Sequence, residues 1–129
     1  MAAKKKPEAG AITWHDLTVI NAPLMRDFYR KVVGWKSEAL DMGGYQDFCM
    51  NAPRSGKTVA GICHARGPNR GLPAQWLVYI QVANMKRSLA AVKRLGGKIL
   101  HGPRDPGCGR MTVIRDPAGA VCMLYQAAK

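Results

Sequence analysis

A histidine and an aspartate stand side by side in ITWHDLTV, Ile12 to Val19. Two chemistries use such residues. Histidine is the commonest metal ligand among side chains, so His15 could open a metal site. A carboxylate among apolar neighbours has its pKa raised by desolvation. That suits Asp16 to act as a general base or to anchor a cationic ligand. Further groups are spread along the chain. Tyr79 and Tyr125 could donate hydrogen bonds to a ligand. Arg110 could hold an anionic group through two parallel bonds. Cys63 could be a nucleophile only if a neighbour lowered its pKa, and no such neighbour is evident. RSGKT, Arg54 to Thr58, looks like the tail of a phosphate loop. The earlier glycine of that motif is here Asn51, and the segment falls in a turn between two strands, so it is read as a turn. HExxH, GxSxG and zinc-finger spacings are absent.

The elements that must position these groups follow from periodicity. Alternation and β-branched residues predict a strand over 12–19. Asn21 is a candidate N-cap, Pro23 sits in the first turn, and Leu24, Met25, Phe28, Val32 and Val33 follow at helical spacing before Gly34. Strands are expected over 35–41, 45–51 and 58–64. Residues 65–74, ARGPNRGLPA, read as a connecting loop. The order then repeats: a strand over 75–82, an Asn84 cap, a stripe of Met85, Leu89, Val92 and Leu95, and Gly96-Gly97. Strands follow over 98–101, 110–115 and 120–126. The resulting organisation is a disordered basic tail (1–10), a first βαβββ module (11–65), a linker (66–74) and a second module (75–127), in one domain. Trp14 and Trp76, Gly34 and Gly96, and Lys36 and Lys98 match at a spacing of 62. A half-chain repeat implies two modules that bury their faces together, since about 60 residues alone would be marginal.

Composition bounds the partners. The chain has 129 residues, 47% hydrophobic and 22% charged, as in globular proteins. No apolar run approaches the ~20 residues of a membrane span, and the N-terminus lacks the apolar region of a secretory signal. A cytoplasmic protein without a membrane partner is expected. The four cysteines, Cys49, Cys63, Cys108 and Cys122, form no CxxC pair and are read as buried thiols. The net charge is +12, of which the first ten residues carry +2, so the folded body is itself basic. Nucleic acid, an acidic surface or an anionic small molecule would each suit that charge. Nucleic acid is the least favoured, because no helix-turn-helix signal or aromatic–basic interleaving accompanies it.

The two modules, together with WHDL, RDFYRKVVGW (26–35), AAVKRLGGKIL (90–100) and GCGRMTVIRDPAGAVCMLYQ (107–126), resemble the vicinal oxygen chelate superfamily. This is the glyoxalase/bleomycin-resistance/dioxygenase fold, and the chain looks like a glyoxalase-like member over about residues 12–126. The resemblance implies an α+β fold of curved mixed sheets around a cleft, with helices on the outer face, and often a homodimer. It implies little about the reaction, since this fold hosts lyases, dioxygenases, epimerases and drug-binding proteins.

Strand alternation then sorts the residues by face. Leu17 and Val19, with His15, are expected on the helix face of the first strand, and His15 as a partly buried structural residue. Trp76, Val78, Ile80 and Val82, Ala60 and Ile62, and Cys122 and Leu124 are expected on helix faces. The cleft faces would carry Trp14, Asp16, Cys63, Leu77, Tyr79, Val121, Met123 and Tyr125, an apolar and aromatic lining. The resemblance implies that metal-binding members place His or Glu at about four cleft positions, here Trp14, Gly61 (or Val59), Leu77 and Met123. None is a good ligand for a divalent metal. The expected function is a glyoxalase-like small-molecule binder with no cofactor and a degenerate metal site. Asp16 and Tyr79 would be its working groups, and Trp14, Cys63, Leu77, Arg110, Val121, Met123 and Tyr125 its ligand contacts. The alternatives are a metal-dependent lyase or dioxygenase holding a divalent metal, for which His15 is the one candidate ligand, and a nucleic-acid binder.

Overall fold

The structure is a computed structural model and describes residues 7–128. Its elements are β1 (Ile12–Val19), α1 (Ala22–Val33), β2 (Lys36–Asp41), β3 (Gln46–Asn51), β4 (Thr58–His64), β5 (Trp76–Gln81), α2 (Met85–Arg94), β6 (Lys98–Arg104), β7 (Gly109–Arg115) and β8 (Val121–Ala127). The expected α+β order is present twice, and every strand but β6 lies within a residue of its expected bounds. The connecting loop contains a short 3-10 turn, Gly67–Asn69. Both helices start as their sequences dictate. The Asn21 and Asn84 side chains accept from Leu24 N and Arg87 N at 3.2 and 3.0 Å, satisfying amides that a helix N-terminus leaves open. Gly34 closes α1 in the left-handed conformation that glycine adopts without penalty.

β6 runs three residues past its expected end. Pro103 argued for a stop, because proline cannot donate to a ladder. The strand instead shifts register twice against β7, between Ile99 and His101 and between His101 and Arg104. Gly102 makes this possible: its φ is +99°, and a Cβ there would lie 2.7 Å from the Met111 carbonyl oxygen.

The chain forms two compact units: Trp14–Trp76, and Leu77–Lys129 together with Met1–Thr13. In the Trp14–Trp76 unit the strand order is β2-β3-β4-β1, with β1 parallel to β4 and the other pairs antiparallel. Its core is Leu17, Ala22, Phe48, Met50, Ala60 and Ile62, with Met25 and Tyr29 of α1 against it. In the other unit the order is β5-β8-β7-β6, with β5 parallel to β8. Met85 and Leu89 of α2 pack there on Ile114 and Leu124, flanked by Ile80, Val82, Ile99 and Cys122. The expected helix faces therefore hold for Leu17, Ala60, Ile62, Ile80, Val82, Cys122 and Leu124.

The sequence reading placed a disordered tail over 1–10. Residues 1–6 lie outside the described part, but Gly10 N donates to Gln81 O, and Gln81 N to Ala11 O, each at 2.8 Å. The start of β1 thus belongs with β5 in one unit, while its remainder belongs to the other.

Trp76 is a second correction. Spacing put it on the helix of its own module, but it packs in the Trp14–Trp76 unit. Its Nε1 donates to the Tyr29 hydroxyl at 3.1 Å, and its ring meets Tyr29 and Trp35 nearly edge-on at 5.2 and 5.8 Å. The reason is reach. α2 covers β5 near Ile80 and Val82, and four residues of strand separate Trp76 from Ile80, about 13 Å. A largely buried indole also needs an acceptor, which Tyr29 supplies.

Candidate functional site

The register of each unit defines a cross-strand row on the face away from its helix. In the Trp14–Trp76 unit, Asp16 of β1 lies opposite Gly61 of β4, Gly61 opposite Cys49 of β3, and Cys49 opposite Glu38 of β2. The next row runs from Thr18 to Cys63. Asp47 follows from the same antiparallel alternation, and Leu40 pairs with Asp47. Chemically capable side chains concentrate here.

Asp16 is the centre of this face. Its half-buried carboxylate accepts from Trp14 Nε1 at 2.6 Å, a charge-assisted bond that fixes both side chains. The room for it comes from Gly61, where any Cβ would collide with Asp16 Oδ1. Glycine in a strand often marks such a close approach. Here the approaching group is a carboxylate of the same sheet.

Cys63 has its thiol pushed well up, by burial first and then by the Asp16 and Asp47 charges. It stays protonated and is no nucleophile at neutral pH. Burial followed by the charges of Glu38 and Asp16 also raises the Cys49 thiol. All four cysteines are free, and Cys108 is exposed rather than buried, since it precedes β7 in a turn.

Sequence reasoning singled out neither Asp47 nor His64. They form a pair: Asp47 Oδ1 accepts from the His64 backbone N–H at 2.9 Å and lies 3.2 Å from His64 Nδ1. Tyr45 meets the His64 ring edge-on, and Arg66 covers the Tyr45 ring at 4.0 Å. The available signal was alternation in β3, which puts Asp47 and Cys49 on one face with Cys63.

His15 is exposed, not partly buried. Its ring is nearly parallel to Trp14, with centroids 6.0 Å apart, and it meets Trp76 edge-on at 6.4 Å. It shares the Leu17 face as expected, but the core against α1 begins at Leu17.

The equivalent face of the other unit is apolar. Tyr79 lies opposite Met123, Met123 opposite Val113, and Val113 opposite His101. Leu77 and Met123 are 1% and 2% exposed, and Val121 is half-buried. The Tyr125 hydroxyl donates to Cys108 O at 2.6 Å, so its donor is committed to the turn before β7. Its pKa is raised by burial and by that bond. Arg110 stands apart from these residues. It shares the α2 side of β7 with Ile114 and with Thr112, whose hydroxyl lies 3.3 Å from Met85 Sδ. Alternation turns Arg110 away from Tyr125 and Met123.

The positions that the resemblance implied for a metal do not make a donor set. Trp14 presents an indole N–H, which is itself a donor, to Asp16. Gly61 has no side chain, and Leu77 and Met123 are a buried hydrocarbon and a buried thioether. Among the described residues no group of three or more His, Cys, Asp or Glu could hold a metal ion. No helix among them is long and apolar enough to cross a membrane.

Residues 11–124 match the family model of the Glyoxalase/Bleomycin resistance protein/Dioxygenase superfamily. The chain belongs to that superfamily. It is 29% identical over 122 residues to glyoxylase CFP32 of Mycobacterium tuberculosis, a match covering 94% of this chain and 46% of the relative. It is 31% identical over 133 residues to the anthracycline biosynthesis protein DnrV of Streptomyces peucetius, covering 91% and 47%. The chain thus spans about half the length of the curated relatives it matches. Among solved structures it resembles Streptomyces coelicolor methylmalonyl-CoA epimerase in complex with 2-nitronate-propionyl-CoA (TM-score 0.55, 15% identity, 95% of this chain and 100% of that one). It also resembles methylmalonyl-CoA epimerase of Mycobacterium tuberculosis (TM-score 0.51, 16% identity, 93% and 89%). At these identities the structural likeness is one of fold.

Proposed function

We propose that this superfamily member is a glyoxalase-like binder of small organic molecules that works without the family's metal, with the Asp16 carboxylate as its polar anchor. One observation carries this reading: Gly61 lacks the side chain that would displace the carboxylate, and Trp14 holds it in place. A fixed, half-buried carboxylate beside an indole accepts hydrogen bonds and attracts cations. The favoured ligand is an aromatic or alicyclic molecule bearing hydroxyl or amino donors. A proton acceptor at Asp16 also suits abstraction from an acidic C–H or O–H, so catalysis without metal belongs to the same reading. Pairing with a second copy and a cytoplasmic setting complete the proposal.

The test is a thermal-shift screen of phenols, aromatic amines and an anthracycline, followed by calorimetry on the hits. The anthracycline is chosen from the name of the Streptomyces relative. Asp16→Asn is expected to weaken a hit about tenfold or more, the scale of a lost hydrogen bond to a charged group, while His15→Asn leaves it unchanged. Hits that survive Asp16→Asn, or that are lost in a folded His15→Asn protein, would overturn the assignment.

A further inference from the structure

A second concave region lies in the other unit, on the α2 side of its strands. A groove of about 560 Å³ runs between α2 and the β6–β7 end. That volume falls within the range of small-molecule pockets. Its floor is apolar, built from Met85, Leu89, Ala90, Ile99 and Pro103. Four cations stand around the floor: Lys86, Lys93, Arg104 and Arg110, with Asp105 as the one acid. Lys86 and Lys93 are two helical turns apart and flank Leu89 and Ala90 on one face of α2. Among the described residues no ion pair engages Lys86, Lys93 or Arg110. Asp105 is partly occupied, because its Oδ1 accepts from Gly107 N at 2.8 Å.

Beside the groove is a more polar space of about 470 Å³, lined in part by Asn84, Gly109 and Gln126. Lys86, Asp105 and Arg110 line both spaces and mark their junction. An apolar trough that ends at a lysine and an arginine has the form of a site for a molecule with a hydrocarbon body and one anionic end. A neutral apolar ligand would leave the cations unused, and a small anion would leave the floor uncovered. The guanidinium of Arg110 can take a carboxylate in a two-bond fork.

We infer that this groove binds an amphipathic carboxylate, with its medium-length acyl chain on Met85, Leu89 and Ile99 and its carboxylate at the Arg110–Lys86 junction. This goes beyond the reading at Asp16 and stands independently of it, since the two sites use residues of different units.

Calorimetric titration of the full chain with decanoate, 1-decanol and acetate, each below any micelle-forming concentration, tests the inference. Decanoate is expected to bind one per chain, at least tenfold tighter than decanol, with no heat from acetate. Arg110→Gln removes an exposed cation and is expected to weaken decanoate about tenfold without moving the decanol result. Ala90→Glu puts an acid on an exposed helical position of the floor and should abolish decanoate binding with the melting temperature retained. Asp16→Asn should leave decanoate binding intact, which separates failure here from failure at Asp16. Equal affinity for decanol and decanoate would overturn the inference, as would decanoate binding that persists in Ala90→Glu. Binding of acetate as tight as decanoate would show an unspecific basic surface and would also overturn it.

Discussion

The two units share one ladder pattern and spend it differently. Opposite one another across the strands stand Asp16, Gly61, Cys49 and Glu38 in one unit, and Tyr79, Met123, Val113 and His101 in the other. Position by position these are equivalents, separated by 62 to 64 residues. One row carries two carboxylates and a thiol around a glycine, and the other is filled largely by a buried thioether and a valine. The lesson is that repetition of backbone does not repeat chemistry. The glycine of one row makes room for a charged group, and the methionine at the same place in the other closes that room. On the helix sides the contrast reverses: α1 carries the Arg26–Asp27 and Asp27–Arg30 ion pairs, while α2, MKRSLAAVKR, has lysines and arginines and no acid.

The sharpest break of this contrast should come at its two equivalent centres. Met123→Ala, in the filled row, is expected to cost about 2–5 kcal/mol, read as a lower denaturant midpoint with an unchanged slope. Gly61→Ala, in the open row, is expected to cost about 1–3 kcal/mol by overpacking against Asp16, and to remove ligand binding. In an Asp16→Ala background the same Gly61→Ala change should cost nearly nothing, a coupling measurable by a double-mutant cycle. Equal costs in both backgrounds would show that the carboxylate does not occupy the vacated space. Trp14→Phe removes the indole donor and keeps the ring. A loss of about 1 kcal/mol is expected, reduced by the partial exposure of Asp16.

The smallest effect is expected from the cysteines. Because burial and two carboxylates raise the Cys63 thiol, the folded state holds that proton more tightly than the unfolded chain. The contribution to stability is full below the ordinary thiol value and is lost as pH rises above it toward the folded value. Stability should therefore fall above about pH 9, and Cys63→Ala should flatten that fall. At neutral pH iodoacetamide should label Cys108 first and Cys63 last, read by mass spectrometry of the peptides.

Much of this arrangement is written locally in the chain. The Asn caps, the glycine stops and strict alternation locate every element and sort Leu17, Ile62, Ile80 and Leu124 onto their helices. Asp16 and Gly61 were both on the page of the sequence. Their contact was not, because pairing register between β1 and β4 is a long-range property. The same holds for Asp47 and His64, which meet across 17 residues, and for Arg110, whose side depends on where β7 begins. The match of Trp14 with Trp76 was misleading. The ladders make Leu77 the equivalent of Trp14, and a one-residue slip moves a side chain to the other face. Pro103 hid the end of β6, since a bulge that tolerates proline has no signature apart from its glycine.

The exchanged ends of β1 and β5 bear on how such a chain can be cut. The boundary of the sequence repeat falls in the loop at 65–74, yet the compact units do not respect it. A fragment ending in that loop would lack Trp76, and with it the donor to the Tyr29 hydroxyl and the edge-on partner of the Trp35 ring. A fragment starting there would lack residues 10 and 11, whose amide and carbonyl close the far end of β5 at Gln81. The unit of duplication and the compact unit are thus different segments, and split halves mixed together would have to trade strand ends before either could close its own aromatic or ladder contacts.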